Sequence, residues 1–510
     1  MQIKKRKKRQ QRQRKWQARQ RRLKARLAHR DFTAASQPLL GAQPICYELA
    51  ERTRVMSMGG LGLIHGLVMK LQLPALLNAA VAVLKRHLPY WESDHILALC
   101  YTVLTGGKPL QELNRLRQDE VALDALGVRR LPAPSTAGDF LRRFTSSRLI
   151  LSLQEAINQA RLKVWQRQPA AFRHQATLDV DGTLVETDAE CMEGIDYCAY
   201  KQLWGYGPLL ITLCETREVL YVVNRPASAP SHQDAAVWID RALALAGSFF
   251  ENIWLRGDTD FSLTKHFDRW DARAWFILGV DAMPNLVELA QTVPDSEWTP
   301  LIRPPRYEVQ THWRTSPPQV KQQRVRQRRF EELHTVEEEV TSLPYRPGKC
   351  KKTYRLILLR KQLQRRQGGQ DLGEEMRYGF YITNELTQPD DELVLFYDQR
   401  ADQENTIAQL KSGVPAFHAP THSFLANWVY MVIAALAWNL TAWYGLLLQE
   451  PALRQQLVRM EFKQFLQRFI HIPCQIIRRS RSLIYRIVNF TVDTLLFMKI
   501  VDQLNALAFP

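Results

Sequence analysis

The nonapeptide ATLDVDGTL at residues 176–184 constrains the fold more than any other stretch of the chain. Its alternation of apolar and polar residues predicts a β-strand in which Asp179 and Asp181 point to the same face. Two adjacent carboxylates repel each other unless a cation neutralises them or one of them stays protonated. Mg²⁺ and Mn²⁺ prefer oxygen ligands, so the pair predicts a divalent-metal site. The alternative is a solvated strand end, which the apolar neighbours and the rarity of acids in strands disfavour.

Two classes of enzyme use a strand of this kind. The sequence Asp-x-Asp-Gly-Thr-Leu is similar to the first motif of haloacid-dehalogenase-type phosphatases, where Asp179 would be the nucleophile and Asp181 the acid/base. It is also similar to the first strand of a ribonuclease-H-like nuclease or transposase, where an aspartate coordinates metal and no covalent intermediate forms. The strand alone does not distinguish the two classes.

Positive charge is concentrated at the N-terminus. The 510 residues include 69 basic and 51 acidic side chains, a net charge of +18, and 15 of the basic residues lie between Met1 and Arg30, where no acid occurs. Mutual repulsion and the scarcity of apolar residues predict a disordered basic tail over residues 1–36. We expect this tail to bind nucleic-acid phosphates. The alternatives are a solvated tail and a membrane-surface segment, and the lack of an apolar face disfavours the second.

The N-terminus has no apolar segment of the kind found in secretory signals. The seven cysteines form no Cys-x-x-Cys pair, which is typical of a reduced protein without a zinc module. These features predict a cytoplasmic protein.

One apolar run, Phe424 to Leu448, is long enough to span a bilayer. It contains Asn427, Asn439 and Thr441, and a single late span would split the catalytic domain described below. A helix enclosed within a large core has the same periodicity. We therefore predict a buried helix and no membrane partner.

The remaining patterns predict an α/β protein in several parts. Residues 50–165 have helical periodicity and are predicted to be an all-helical DNA-binding domain. Residues 176–284 change to three strands, a helix, a strand, a helix and a strand, which is the order of a ribonuclease-H-like core. Residues 285–395 are predicted to be a β-rich insertion whose last strand is Glu392–Phe396. Residues 396–510 complete the core and add C-terminal helices.

A second informative stretch runs from Tyr397 to Lys411. If it is one helix, Tyr397, Arg400, Glu404 and Lys411 fall on one face. A carboxylate, two cations and a phenol together form a surface suited to phosphate near a metal ligand, with Arg400 offering a bidentate fork. An ordinary salt-bridged helix face is the alternative, because Arg400 and Glu404 are four residues apart.

Taken together, the strand and this stretch resemble cut-and-paste insertion-sequence transposases with a DDE ribonuclease-H-like core and a β-rich insertion before the glutamate. The family signature Tyr-(2)-Arg-(3)-Glu-(6)-Lys is matched by Tyr397, Arg400, Glu404 and Lys411. Asp181 and Asp258 occupy the positions of the two family aspartates, the second within Arg-Gly-Asp-x-x-Phe. The resemblance covers residues 50 to 448.

The resemblance implies a DNA transposase that cleaves the terminal inverted repeats of an insertion sequence and transfers the strands to target DNA. Asp181, Asp258 and Glu404 would hold two Mg²⁺ or Mn²⁺ ions for phosphoryl transfer. Tyr397, Arg400 and Lys411 would bind DNA phosphates. A homodimer bridging two transposon ends is also implied.

Two departures from the family pattern affect the site. Asp179 makes the first metal ligand ambiguous by two residues, and we favour Asp181 because Gly-Thr follows it. Ala408 stands where some relatives carry a further lysine. The phosphatase alternative leaves Tyr397–Lys411 and the basic tail unexplained, and a non-catalytic DNA-binding protein leaves the three acids unexplained.

Overall fold

The computed structural model of the protein describes residues 2–28, 53–304, 320–367, 370–479 and 482–507. Its α-helices are α1 Gln2–Ala28, α2 Leu61–Lys70, α3 Leu73–Ala80, α4 Glu92–Leu104, α5 Leu113–Arg117, α6 Glu120–Leu126, α7 Pro134–Arg142, α8 Ser147–Trp165, α9 Ala235–Gly247, α10 Phe267–Asp271, α11 Pro284–Gln291, α12 Val320–Gln327, α13 Asp390–Asp398, α14 Ala401–Ser412, α15 Phe424–Leu446, α16 Pro451–Val458, α17 Phe462–Phe465 and α18 Thr494–Ala506.

The strands of the described residues are β1 Val55–Met56, β2 Gln175–Gly182, β3 Val185–Glu186, β4 Asp196–Cys198, β5 Leu203–Tyr206, β6 Leu209–Leu213, β7 Glu218–Val223, β8 Asn252–Gly257, β9 Trp275–Val280, β10 Thr299–Pro300, β11 Glu331–Tyr345, β12 Tyr354–Gln367, β13 Gln370–Thr383, β14 Cys474–Arg479 and β15 Ser482–Ile487. The protein is therefore mixed α/β, as predicted.

The chain forms two compact units. The helical unit comprises residues 1–168, 191–193 and 408–510, and the sheet unit comprises residues 169–190 and 194–407. This division differs from the predicted domains, because the predicted second part of the core, from residue 408 onward, groups with the N-terminal helices.

Helix α15 explains why the C-terminal residues belong to the helical unit. It is apolar on all sides, and its length and composition would allow it to cross a membrane. Within the protein, however, 89% of its most apolar 18-residue segment is buried. Helices α4, α7, α8 and α16 pack around it. A helix without a polar face must be enclosed by other elements, and these helices enclose it. The prediction of a buried helix at Phe424 is confirmed.

The sheet unit contains a nine-stranded sheet in the order β10-β11-β12-β13-β9-β8-β2-β6-β7. Strand β2 is antiparallel to β6 and parallel to β8, and β8 is parallel to β9. Helix α9 packs on the face that carries Ile253 and Leu255. On the other face, Trp254 contacts Phe396 of α13. Strand β2 thus lies in the interior of the sheet, between two covered faces.

The β-rich insertion extends this same sheet. Its long strands β11, β12 and β13 pair in sequence, and β13 pairs with β9. The predicted strand Glu392–Phe396 is wrong, because these residues belong to α13. Asp390, Asp391 and Glu392 form its first turn, where negative charge stabilises a helix N-terminus. The short apolar run that follows suits a strand and a buried helix equally well by periodicity.

The basic N-terminal segment is a helix from Gln2 to Ala28, so the prediction of disorder is wrong for these residues. Lys, Arg, Gln, Ala and Leu are good helix formers, and the segment contains neither Gly nor Pro. Helix propensity therefore outweighs the repulsion on which the prediction rested. Residues 29–36 of the predicted tail, and Pro305, Pro317 and Pro318 of the insertion, lie outside the described residues.

Candidate active site

Parallel pairing of β2 with β8 arranges the acidic side chains in rows. Asp179 is directly opposite Arg256, and Val180 is opposite Gly257. Continuing the register by one residue places Asp181 beside Asp258, which follows the end of β8. Opposed residues of neighbouring strands share a face, and parallel strands lie about 4.8 Å apart. An inner row (Asp179 and Arg256) and an outer row (Asp181 and Asp258) therefore follow each other on one face of the sheet.

The inner row is a buried ion pair. Arg256 Nε donates to Asp179 Oδ1 at 2.7 Å, and its Nη2 donates to Asp179 Oδ2 at 2.9 Å. Asp179 is 1% exposed and Arg256 is 0% exposed. Arg256 also donates to the carbonyl of Phe396 at 2.6 Å and lies over its ring. Burial raises the pKa of Asp179, and the hydrogen bonds and charge of Arg256 oppose that rise. Both oxygens of Asp179 are therefore occupied by protein groups.

The outer row contains two carboxylates that repel each other. The pKa of Asp181 is raised to about 6, chiefly by burial, with Asp258 adding to the rise and Arg400 opposing it. Burial likewise raises the pKa of Asp258, which Arg400 again opposes. Asp258 Oδ1 accepts a hydrogen bond from the backbone of Asp260 at 3.1 Å. Both carboxyl groups are therefore harder to ionise than a free aspartic acid.

Arg400 is the cation that faces this pair. Its Nη1 lies 3.4 Å from Asp181 Oδ2, and both side chains are 16% exposed. Its Nε is buried and has no hydrogen-bond partner among the residues that the structure describes. Arg400 lies in the short break between α13 and α14, so the predicted single helix from Tyr397 to Lys411 is in fact two helices. The break directs Arg400 toward the strand ends.

Tyr397, at the end of α13, lies beside the outer row. A Cβ atom at Gly279 of β9 would lie 3.0 Å from the Tyr397 hydroxyl, so a larger residue at this position would press against the tyrosine. The ring packs 4.7 Å from that of Tyr381, and the guanidinium of Arg400 lies 5.8 Å from its centre. Burial raises the pKa of Tyr397, so its hydroxyl is protonated at neutral pH. It can donate a hydrogen bond at the site.

Glu404 and Lys411 are less closely associated with the outer row. Glu404 is an exposed residue of α14 that raises the pKa of Asp181, but less than Asp258 does. Lys411 is also exposed and belongs to the helical unit. Of the six residues predicted for the site, the structure brings together Asp181, Asp258, Tyr397 and Arg400.

The carboxylates of the outer row supply part of the oxygen ligands that a divalent cation needs. Mg²⁺ is commonly held by one or two carboxylates together with substrate phosphates and water, and Asp181 and Asp258 supply two. Among the residues that the structure describes, no three His, Cys, Asp or Glu side chains converge enough to hold a metal. The site therefore fits a cation held by the outer row, while the predicted set of three ligands is not assembled.

Two residues that hold Asp179 in place were not predicted from the sequence. Arg256 is the partner of Asp179, and Gln403 Nε2 donates to the carbonyl of Asp179 at 3.0 Å, which fixes α14 over β2. The sequence contains a pattern that could have predicted the pairing of Arg256 with Asp179. Arg256 precedes Asp258 by two residues, just as Asp179 precedes Asp181. Parallel strands in register bring these positions together. Gln403 had no comparable signal.

Comparisons with known proteins give a family match over most of the chain. The family model described as Transposase DDE domain group 1 matches residues 50–509. No curated protein matches the chain significantly. A cryo-EM structure of the piggyBac transposase synaptic complex with hairpin DNA is similar at a TM-score of 0.36 and 11% identity, covering 82% of this chain and 81% of that one. A likeness this low does not establish a shared fold.

Proposed function

This chain belongs to the Transposase DDE domain group 1 family, and from that premise we propose that it cleaves and joins DNA at the terminal inverted repeats of an insertion sequence. The reaction would be divalent-metal-dependent phosphoryl transfer without a covalent protein intermediate. The observation that carries this proposal is the outer row, where Asp181 and Asp258 meet at adjacent parallel strand ends opposite Arg400.

The strand order supports a ribonuclease-H-like core. Strands β2, β6 and β7 are antiparallel neighbours in the sheet, with the small separate sheet β3-β5-β4 inserted between β2 and β6 in the chain, and β8 and β9 continue in parallel on the other side of β2. Helix α9 connects the two groups of strands. This is the order expected from residues 176–284, with the first strand in the centre and the acids at its carboxyl end.

We propose that Asp181 and Asp258 hold Mg²⁺ or Mn²⁺ and that Glu404 completes the set for two ions. When bound, the ions would activate the attacking water or 3′-hydroxyl and stabilise the leaving oxygen. The chain itself supplies a half-buried environment that strengthens electrostatic interactions with an incoming phosphate. Arg400 would shift from Asp181 to a phosphate oxygen, to which its fork is suited. Tyr397 would donate its hydroxyl hydrogen to the same group, and Lys411 would bind a phosphate further along the strand.

The burial of Asp179 argues against the phosphatase alternative. That reaction needs Asp179 to attack a phosphoryl group, yet its carboxylate is enclosed and both oxygens accept hydrogen bonds from Arg256. A nucleophile must reach its substrate. We therefore expect negligible hydrolysis of an aryl phosphate and no phosphorylated protein after incubation with it. Turnover that is lost in Asp179→Asn would overturn the transposase assignment.

We propose DNA as the partner of the basic helix α1 and a homodimer as the active assembly. The Lys and Arg residues of α1 have no acid among them, so their contribution would be release of counterions from phosphates. Deleting residues 1–30 should weaken binding to transposon ends and to random duplex by similar factors, and should flatten the salt dependence of both. Loss of end preference alone would instead make α1 a sequence reader.

The central experiment is Mg²⁺-dependent cleavage of duplexes carrying the inverted repeats that flank the gene. Asp181→Ala, Asp258→Ala and Glu404→Ala should each abolish cleavage and retain binding of the ends. Asp402→Ala is the matched control, because Asp402 is two residues from Glu404 and pairs with Arg217 instead of the outer row. Near-wild-type cleavage by any of the three variants would remove that residue from the set.

A further inference from the structure

Two loops of the helical unit form a basic and aromatic surface that the proposed reaction does not use. One loop, residues 81–91, connects α3 to α4, and the other, residues 127–133, connects α6 to α7. Between them lies a cavity of about 340 Å³. Its lining includes His65, Tyr90, Asp94, Tyr101, Arg129 and Arg130. We call this the two-loop surface.

The first loop is held in one conformation by a buried acid. Glu92 Oε1 accepts hydrogen bonds from the backbone of Val83 and Leu84 at 3.2 and 3.0 Å, and Oε2 lies 3.0 Å from His87 Nε2. The His87 ring stacks on Trp91 at 3.9 Å and 4°. Because these contacts already order the loop, a ligand bound there would pay little conformational entropy.

The second loop is tied to the first across the cavity. The hydroxyl of Tyr90 donates to the carbonyl of Leu131 at 3.0 Å, and the guanidinium of Arg130 lies 5.8 Å from the Tyr90 ring centre. At the cavity wall, His65 Nδ1 and the Tyr101 hydroxyl are 2.8 Å apart. The cavity is thus a built concavity with aromatic walls.

Charge on the two-loop surface indicates the chemistry of a ligand. Lys85, Arg86, Arg129 and Arg130 are all exposed, and Arg129 and Arg130 line the cavity itself. Within the cavity lining, Asp94 is the acid, and it accepts a hydrogen bond from the backbone of Trp91 at 2.8 Å. Cations beside an aromatic cavity fit a group with a flat ring and an attached phosphate.

We propose that the two-loop surface binds one unpaired nucleotide of the DNA substrate, with its base in the cavity and its phosphates against Arg129 and Arg130. This rests on the proposed function, because it assumes that DNA is the substrate. A base within a duplex presents only its edges, whereas an unpaired base can stack on Tyr90 and fill the cavity. The unpaired state thereby becomes the form that the helical unit selects.

The test compares two duplexes of one sequence, fully paired or carrying a single unpaired 2-aminopurine. Binding of the full chain is measured by fluorescence anisotropy in EDTA, so cleavage does not contribute. The full chain should bind the bulged duplex about tenfold more tightly, as expected for one base stacked on an aromatic ring. Acrylamide should quench the 2-aminopurine less in the complex than in free DNA.

Variants locate the effect. Arg129→Ala/Arg130→Ala should weaken binding of both duplexes, while Arg148→Ala/Lys463→Ala, which removes two exposed charges of the helical unit outside the cavity lining, should weaken it less. Tyr90→Leu should abolish the preference for the bulge, and Tyr90→Phe should keep it.

The outcomes separate this inference from the proposed function. Equal affinity for the two duplexes, or a preference that survives Tyr90→Leu, would overturn the inference and leave the cleavage assay unaffected. Failure to bind either duplex would overturn both. A bulge preference in a chain that does not cleave DNA with Mg²⁺ would retain the inference and reject the proposed reaction.

Discussion

Two rows on one face of the sheet, two residues apart along each strand, differ in how their charges are balanced. The inner row joins Asp179 to Arg256 through two hydrogen bonds in a fully buried place. The outer row sets Asp181 against Asp258, and Arg400 approaches from the α13–α14 break. The inner row satisfies its charges within the protein, whereas the outer row leaves negative charge to be satisfied by something else. The difference separates a structural pair from a candidate catalytic pair.

Breaking the inner row should have the largest effect on stability. Arg256→Met leaves the Asp179 carboxylate buried without its partner, and the expected loss in unfolding free energy is about 3–5 kcal/mol. Urea denaturation of the metal-free protein measures it. The double variant Asp179→Leu/Arg256→Met removes both charges and should lose less than Arg256→Met alone. The single variant Asp179→Leu completes the comparison. If the stability lost by the double variant equals the sum of the losses in Asp179→Leu and Arg256→Met, the two residues act independently and the inner row is not an ion pair that stabilises the fold.

Neutralising an acid of the outer row should raise the stability of the protein instead of lowering it. The pKa of Asp181 is raised from 3.8 to about 6, so ionising this side chain at neutral pH lowers the stability of the folded protein. Asp181→Asn removes that cost, and the metal-free variant should be about 1–3 kcal/mol more stable at pH 7. The gain should shrink as the pH falls from about 6 to 4, because the wild-type side chain then becomes protonated in the folded state. A variant less stable than wild type at pH 7 would contradict this assignment.

Removing Arg400 should have a smaller effect, which is to make the outer-row carboxyl groups still harder to ionise. Its charge lowers the pKa of both Asp181 and Asp258, so Arg400→Gln should raise both. In that background the stability gain from Asp181→Asn should be larger at high pH than in the wild-type background, and on acidification it should begin to shrink at a higher pH. Arg217→Gln is the matched control, because Arg217 pairs with Asp402. An unchanged pH profile in Arg400→Gln would show that Arg400 does not control the pKa of Asp181.

The sequence predicts local elements well where periodicity and end signals agree. The strand predicted at residues 176–184 is β2, Gln175–Gly182. The strand predicted at residues 252–258 is β8, which ends one residue earlier, at Gly257. Glu392–Phe396 was assigned wrongly because a short apolar run suits either element, and its acidic first turn carried the missing information. The N-terminal helix was missed because its composition favours helix and solvation at once.

Long-range organisation was less accessible. Nothing local to Phe424 indicates that α4, α7 and α8 cover its helix, since that depends on residues more than 250 positions earlier. The ambiguity between Asp179 and Asp181 required only the register of β2 with β8, which places Arg256 opposite Asp179. The exposed position of Glu404 depends on the break at Arg400, and a continuous helical pattern concealed it.

The most direct test of the central claim, that Asp181 and Asp258 hold the divalent ion while Asp179 supports the fold, is a Mn²⁺ titration followed by electron paramagnetic resonance. It compares the wild-type chain with Asp181→Asn and with Asp179→Leu/Arg256→Met, each shown by circular dichroism to be folded. We expect Asp181→Asn to weaken Mn²⁺ binding about tenfold or more while unfolding at higher urea, and the inner-row double variant to bind Mn²⁺ as wild type does. Wild-type affinity in Asp181→Asn together with lost binding in the folded double variant would contradict the account.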